Sequence, residues 1–268
     1  MIKLGIIFWA LQVLQSHRLS FSQELKKAFE WEVKNVVDAT SDIAGNIYVS
    51  DEQGNLSKFS KDGQNLLSYS GNTISPISSV DVSHTSKVFG FYKDNQAYLI
   101  LDRFLSLIHE AALNTSLIGY VTETAYAADN KLWIFDQSDL SIKKMDLIND
   151  ILVTSISVSL IISDADWDIR QIEEYQNRIY IYNSNKEVYI LDNFGNFIKK
   201  LPIRPDCNFG FNDENMVFIQ GAGIFKSHLY SDALQQIGVI KNTNSILKVI
   251  STNNFIYLIS KNKITAYR

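Results

Sequence analysis

The sequence is most informative at first for what it withholds. It has one cysteine, Cys207, and four scattered histidines, which excludes an intramolecular disulfide and a Cys/His zinc cluster. Its 25 basic and 29 acidic residues are interleaved without a run of either sign, so a nucleic-acid surface is not expected. Only three prolines occur, Pro76, Pro202 and Pro205, and no Pro/Gly/Ser-rich linker divides the chain. No glycine-rich phosphate loop, nucleophile elbow, zincin helix or EF-hand loop is present. Asp51-Glu52-Gln53-Gly54-Asn55 resembles a calcium loop on the surface, but its ligand spacing is wrong and no distal glutamate follows. It reads as a hairpin turn.

The longest apolar run near the start is also short. Leu4–Leu14 (LGIIFWALQVL) follows Lys3 and precedes Ser20-Phe21-Ser22, the pattern of a signal peptide cut before Gln23. Eleven helical residues would span roughly 16 Å, about half of a bilayer's ~30 Å core. The expectation is therefore residues 1–22 as signal peptide, residues 23–268 as a single domain, and export to the periplasm or outer-membrane surface. No transmembrane span is expected in the mature chain.

What is present is a repeat. Asp42–Gln64 (DIAGNIYVSDEQGNLSKFSKDGQ) reads as two hairpins end to end, with turns at Gly54-Asn55 and Asp62-Gly63. Copies of its central apolar run recur around Ile47, Val88, Leu132, Ile179, Val217 and Ile256, at separations of 41, 44, 47, 38 and 39. The runs are β-branched and aromatic and lack 3.6-residue spacing, so helical solenoids are excluded. About four strands per unit at this period is the signature of a β-propeller. The sixth unit has only three strands before Arg268, while Ala28–Val33 is a spare strand at the front. The spare strand is expected to complete the last blade and close the ring, which removes two exposed edges. The fold class is all-β, a six-bladed β-propeller of four-stranded antiparallel blades.

Gly-Asn-Ile-Tyr-Val-x-Asp within Asp42–Gln64 resembles an NHL-type repeat. Leu132–Phe135, Arg178–Tyr182 and Leu191–Ile203 (LDNFGNFIKKLPI) make the chain similar to exported NHL/TolB-like propellers of Bacteroidetes-type bacteria. This resemblance implies fold and export, and no activity.

Two constellations are candidates for function. Asp38, Asp81, Glu123 and Glu173 place one carboxylate on each of the first four inner strands, at offsets of 9, 7, 9 and 6 from the anchors. If all four faced the channel they would suit a divalent metal such as calcium, and a metal-dependent hydrolase or lactonase. The uneven offsets point some of them elsewhere, since a one-residue slip turns a side chain to the other face. The second group is Asp166, Trp167, Asp168 and Arg170, at the end of the longest connection between blades. Trp and Arg anchor interfaces disproportionately, and connections on a rigid scaffold carry binding. Packing of Trp167 between blades is the competing reading. Trp31 and Trp133 read as core, and Cys207 as a small buried hydrophobe. The leading expectation is a non-enzymatic binding or scaffolding module without a cofactor, whose partner is another envelope protein.

Overall fold

The computed structural model describes residues 25–71, 74–161, 167–185, 187–231, 233–240, 243 and 245–268. The proposed signal peptide and Asp166 lie outside the described residues. Six antiparallel sheets of four strands form the ring.

In chain order, β1 (Lys27–Glu32) stands apart from the blade that follows it. Blade 1 is β2 (Val36–Ser41), β3 (Ile47–Asp51), β4 (Asn55–Phe59) and β5 (Asn65–Ser70). Blade 2 is β6 (Ser79–Asp81), β7 (Lys87–Tyr92), β8 (Ala97–Asp102) and β9 (Leu107–Ala112). Blade 3 is β10 (Val121–Tyr126), β11 (Leu132–Asp136), β12 (Ser141–Asp146) and β13 (Ile151–Ser157). Blade 4 is β14 (Ile169–Tyr175), β15 (Arg178–Asn183), β16 (Val188–Asp192) and β17 (Phe197–Leu201). Blade 5 is β18 (Gly210–Asn212), β19 (Asn215–Gln220), β20 (Gly223–His228) and β21 (Leu234–Val239). Blade 6 is β22 (Ile246–Ser251), β23 (Ile256–Ser260), β24 (Lys263–Tyr267) and, as its fourth strand, β1. The ring closes as the strand count requires.

All six sequence anchors fall on the second strand of a blade. These strands are buried on both sides, as in Leu132–Asp136, where every residue is buried. They therefore read as unbroken apolar runs without polar alternation. Trp133 is fully buried, and its indole N–H donates to Glu174 of blade 4 at 2.8 Å. The core is six clusters, most of them between neighbouring blades. One of them joins Trp133, Ile142 and Val158 of blade 3 to Ile172, Ile179 and Leu191 of blade 4.

Turn chemistry explains the punctuation. Asp42–Asn46, Asp51–Asn55 and Asp192–Asn196 share the pattern Asp-x-x-Gly-Asn. In each, the Asp carboxylate accepts both the backbone and the side-chain N–H of the Asn, an Asx turn closed at both ends. The supposed calcium loop is one of these. In the turns between third and fourth strands, Gly63 and Gly195 sit at positive φ, and Leu105 takes the same place at φ 62°. The outer strand of blade 2 therefore starts at Leu107, two residues later than an apolar run beginning at Leu105 suggests.

Antiparallel alternation gives the ring two unlike faces. Links between blades hydrogen-bond to second-to-third-strand turns, as in Glu52 N–H to Asn35, Gln137 N–H to Tyr120 and Ser184 N–H to Asp168. We call this the link face. First-to-second and third-to-fourth turns lie on the opposite, turn face. Among the described residues, no helix is long and apolar enough to cross a membrane.

Candidate functional site

The six inner strands line a central channel that continues into a groove on the turn face reaching Leu66 and Phe104, about 1890 Å³ in all, and Asp38, Asp81, Glu123 and Glu173 all line it. Among the described residues, no three His, Cys, Asp or Glu side chains form a group that could hold a metal ion.

Two of the four join blades together. Asp38 accepts the Val80 N–H of blade 2 at 2.9 Å, and Lys248 of blade 6 at 3.0 Å. One carboxylate thus spans three blades. Asp81 repeats the device one blade on, accepting the Tyr126 N–H of blade 3 at 3.2 Å. Neutral side chains do the same elsewhere. The Gln171 amide is paired in both directions with the Phe209 backbone at 3.0 Å, and Gln96 with the Val121 backbone at 2.8 Å. Inner strands of different blades cannot form a continuous ladder, so side chains satisfy backbone groups where one blade meets the next.

Lys248 is buried with this set. Burial works against its ammonium, but Asp38 and Glu173 outweigh that and hold its pKa above the ordinary lysine value. Glu123 and Glu173 differ from the two aspartates. Burial pushes the Glu123 carboxyl up to about 8, with Lys93 opposing from 3.9 Å away. It pushes Glu173 up to about 7 against the pull of Lys248, while Gln171 donates to Glu173 at 2.7 Å. Both values exceed the unfolded value of 4.5. Between these limits the folded protein keeps protons that the unfolded chain has released. Their contribution to stability is complete below about pH 4.5, falls as pH rises, and is lost once pH passes about 8. Glu123→Gln is expected to flatten that fall in urea titrations from acid to alkaline pH. A variant that declines as steeply as the native chain would show that Glu123 is not its source.

The second group sits at the link-face mouth. Arg170, at the start of β14, is 61% exposed and donates from Nε to Asp168 at 2.8 Å. Asp168 also accepts the Ser184 hydroxyl, and its own N–H donates to Asn183 Oδ1 at 3.1 Å. Burial alone would raise the Asp168 pKa, but Ser184 and Arg170 outweigh it and hold the carboxylate below its ordinary value. Trp167 is half-buried and packs against the cluster shared by blades 3 and 4. The structure thus brings Asp168 and Arg170 together, packs Trp167 against the core shared by blades 3 and 4, and does not describe Asp166.

Three participants escaped the sequence reading. Lys248 was visible as the one charge within the apolar strand Ile246–Ile250. Lys93 and Ser184 sit in turns between second and third strands, and no local pattern marks them.

No protein-family model matches the sequence, and no curated protein matches it. Solved structures similar in shape include the following three. The WD40 domain of Neurospora crassa Pan2 has a TM-score of 0.62 at 7% identity, covering 92% of this chain and 96% of that one. Virginiamycin B lyase from Staphylococcus aureus has a TM-score of 0.62 at 10% identity, with 91% and 99% covered. The β-propeller domain of Myceliophteria thermophila Cps50 (Swd1) reaches 0.64 at 8% identity, with 91% and 99% covered. At such identities the likeness is one of fold, the β-propeller, across nine-tenths of the chain.

Proposed function

We propose that this chain is an exported β-propeller that binds a protein partner of the cell envelope on its link face and performs no catalysis. The observation that carries the reading is the Arg170–Asp168–Ser184 arrangement. An exposed guanidinium is held in place by a carboxylate that is itself fixed from the neighbouring turn. Such a cation has little rotamer freedom left to lose on binding, which is what makes an arginine an effective anchor. Half-buried Trp167 lies three residues before it in the chain, packed against the core of blades 3 and 4, and Arg170 lines the channel. The absence of catalysis is supported by the use of Asp38 and Asp81, which hold neighbouring blades together. Export rests on the Leu4–Leu14 pattern with its small-residue cut site.

The test is a pull-down from crosslinked envelope, with native protein whose N-terminus mass spectrometry should place at or near Gln23. Arg170→Ala is expected to weaken recovery of the partner several-fold with little change in melting temperature. Trp167→Ala with Asp168→Ala should weaken it further. Changes at Asp62 and Asn193, on the turn face, should leave it alone. Undiminished recovery with Arg170→Ala would remove the site, and an intact Met1 in a soluble cytoplasmic fraction would remove the compartment.

A further inference from the structure

The central channel runs from one face of the ring to the other. Lys93 and Ser184 of the link face line it at one end, and His84 and Asn253 of the turn face at the other. Its charges do not balance. Taking every charged side chain that lines it or its turn-face groove, and adding Asp168 as the partner of Arg170, nine acids stand against seven bases. The excess lies within the ring, where Asp38, Asp81, Glu123 and Glu173 are set against Lys93 and Lys248.

Two kinds of acid make up that set. Asp38 and Asp81 are engaged by backbone N–H groups of the next blade. Glu173 accepts a hydrogen bond from Gln171. Glu123 has no such partner among the described residues, and the Lys93 ammonium stands 3.9 Å from its carboxyl. Thr124, the next residue on β10, also lines the channel, yet it is 4% exposed and its hydroxyl has no hydrogen-bond partner. The inner strand of blade 3 thus carries two buried polar groups that no protein donor fills, a costly arrangement unless something else fills them. Meanwhile both glutamates relieve the excess of negative charge by holding protons near neutral pH. A bound cation does the same work without the proton.

The spacing of the acids selects the kind of cation. Among the described residues, no three of them form a group that could hold a metal ion, and a compact ion needs several oxygen ligands at one point. A chain of ammonium groups needs only one acid at a time, each ammonium bringing three donors. A passage that runs from face to face admits such a linear molecule.

We propose that the channel binds a linear organic cation with two or more primary ammonium groups, a polyamine in chemical class, anchored by Glu123 and Glu173. The site lies inside the ring and requires neither the link-face partner nor export.

The test is calorimetric titration of the native protein with spermidine. One molecule is expected to bind per ring. At neutral pH the heat should differ between buffers of different ionisation enthalpy, because binding displaces protons from the two glutamates. Around these carboxyls stand Asp38, Asp81, Arg170, Lys93 and Lys248, the last two being the cations that the ligand must outcompete. Affinity should rise roughly tenfold or more from about pH 6 to about pH 8.5, as the glutamates lose their protons unaided. Glu123→Gln and Glu173→Gln copy the protonated forms, and each should weaken binding roughly tenfold at unchanged melting temperature. Asp62→Asn with Asp94→Asn, exposed acids outside the channel, should have no effect. The proposal is overturned if the native protein binds no spermidine, if affinity does not change with pH, or if the exposed pair weakens binding as much as the glutamates. It is also overturned if calcium binds more tightly than spermidine, which would give the channel to a metal ion. Should a glutamine variant fail to fold, the presence or absence of proton release by the native protein decides.

Discussion

Removal of Ala28–Val33 is expected to unfold the ring, not merely to trim it. These residues include most of β1, the fourth strand of blade 6, which pairs with β24 from Lys27↔Tyr267 to Glu32↔Lys263. They also fasten blade 6 to blade 1. The Trp31 ring lies 6.0 Å from Phe59 of blade 1 and 6.1 Å from Tyr257 of blade 6. Gly63 of blade 1 approaches it so closely that a Cβ there would sit 2.8 Å from the indole. Phe29 meets Phe255 edge-on at 5.1 Å. Removing one large buried aromatic commonly costs about 3–5 kcal/mol. Phe29 and Trp31 are partly buried, so each contributes less than that, but with the strand ladder they remain a large share of the ~5–15 kcal/mol that holds a typical domain folded. Thermal melts followed by circular dichroism should show loss of the cooperative transition, or its shift by tens of degrees on the scale of roughly 2–4 °C per kcal/mol. Cooperative melting of the shortened protein at the full-length temperature would mean that the ring does not close through β1.

Asp38→Ala is the second substitution with a large expected effect. Asp38 and Lys248 are 11% and 13% exposed, so losing the carboxylate leaves a buried ammonium without its ion-pair partner and the Val80 N–H without its acceptor. Breaking one side of a buried pair costs about 3–5 kcal/mol. Lys248→Met in the Asp38→Ala background should recover part of that, because the stranded charge goes. It should not recover all of it, because Val80 remains unpaired. Urea titrations of the two single variants and the double variant supply the coupling energy. If Asp38→Ala lowered stability by less than about 1 kcal/mol, water in the channel would be doing the work assigned here to the carboxylate.

The ring was legible in the sequence because second strands are buried on both faces, which leaves an apolar run wherever a blade begins. Closure was legible because a missing strand at one end matched a spare strand at the other. Strand ends were less so. Leu105 looks like the start of a strand, yet its left-handed backbone belongs to the preceding turn, and nothing local distinguishes the two. The candidate site was readable only as an inventory. A carboxylate on each of four inner strands could be seen, but whether it meets a metal, water or a neighbour's backbone depends on the blade next door. Asp38 and Asp81 meet backbone N–H groups, whereas Glu123 and Glu173 are left facing the channel. Trp167 could be read as an exposed anchor or as packing between blades, and a connection has no periodicity to decide between them; it is half-buried against the core of blades 3 and 4.

The pairing of β1 with β24 also sets a timetable. During synthesis β1 must wait for β24, and at roughly 5–20 residues per second that wait is on the order of 10–50 s. During it, blades 1 to 5 can assemble in order from local hairpins, while Phe29 and Trp31 stay without their blade 6 neighbours. Joining two ends so far apart carries the largest loop-closure entropy in the chain, so the final step should be slow and nearly all-or-none. A chain cut short by even its last strand would keep five blades and lose the ring. Closure of the ring therefore rests on β24, Lys263–Tyr267, as much as on β1.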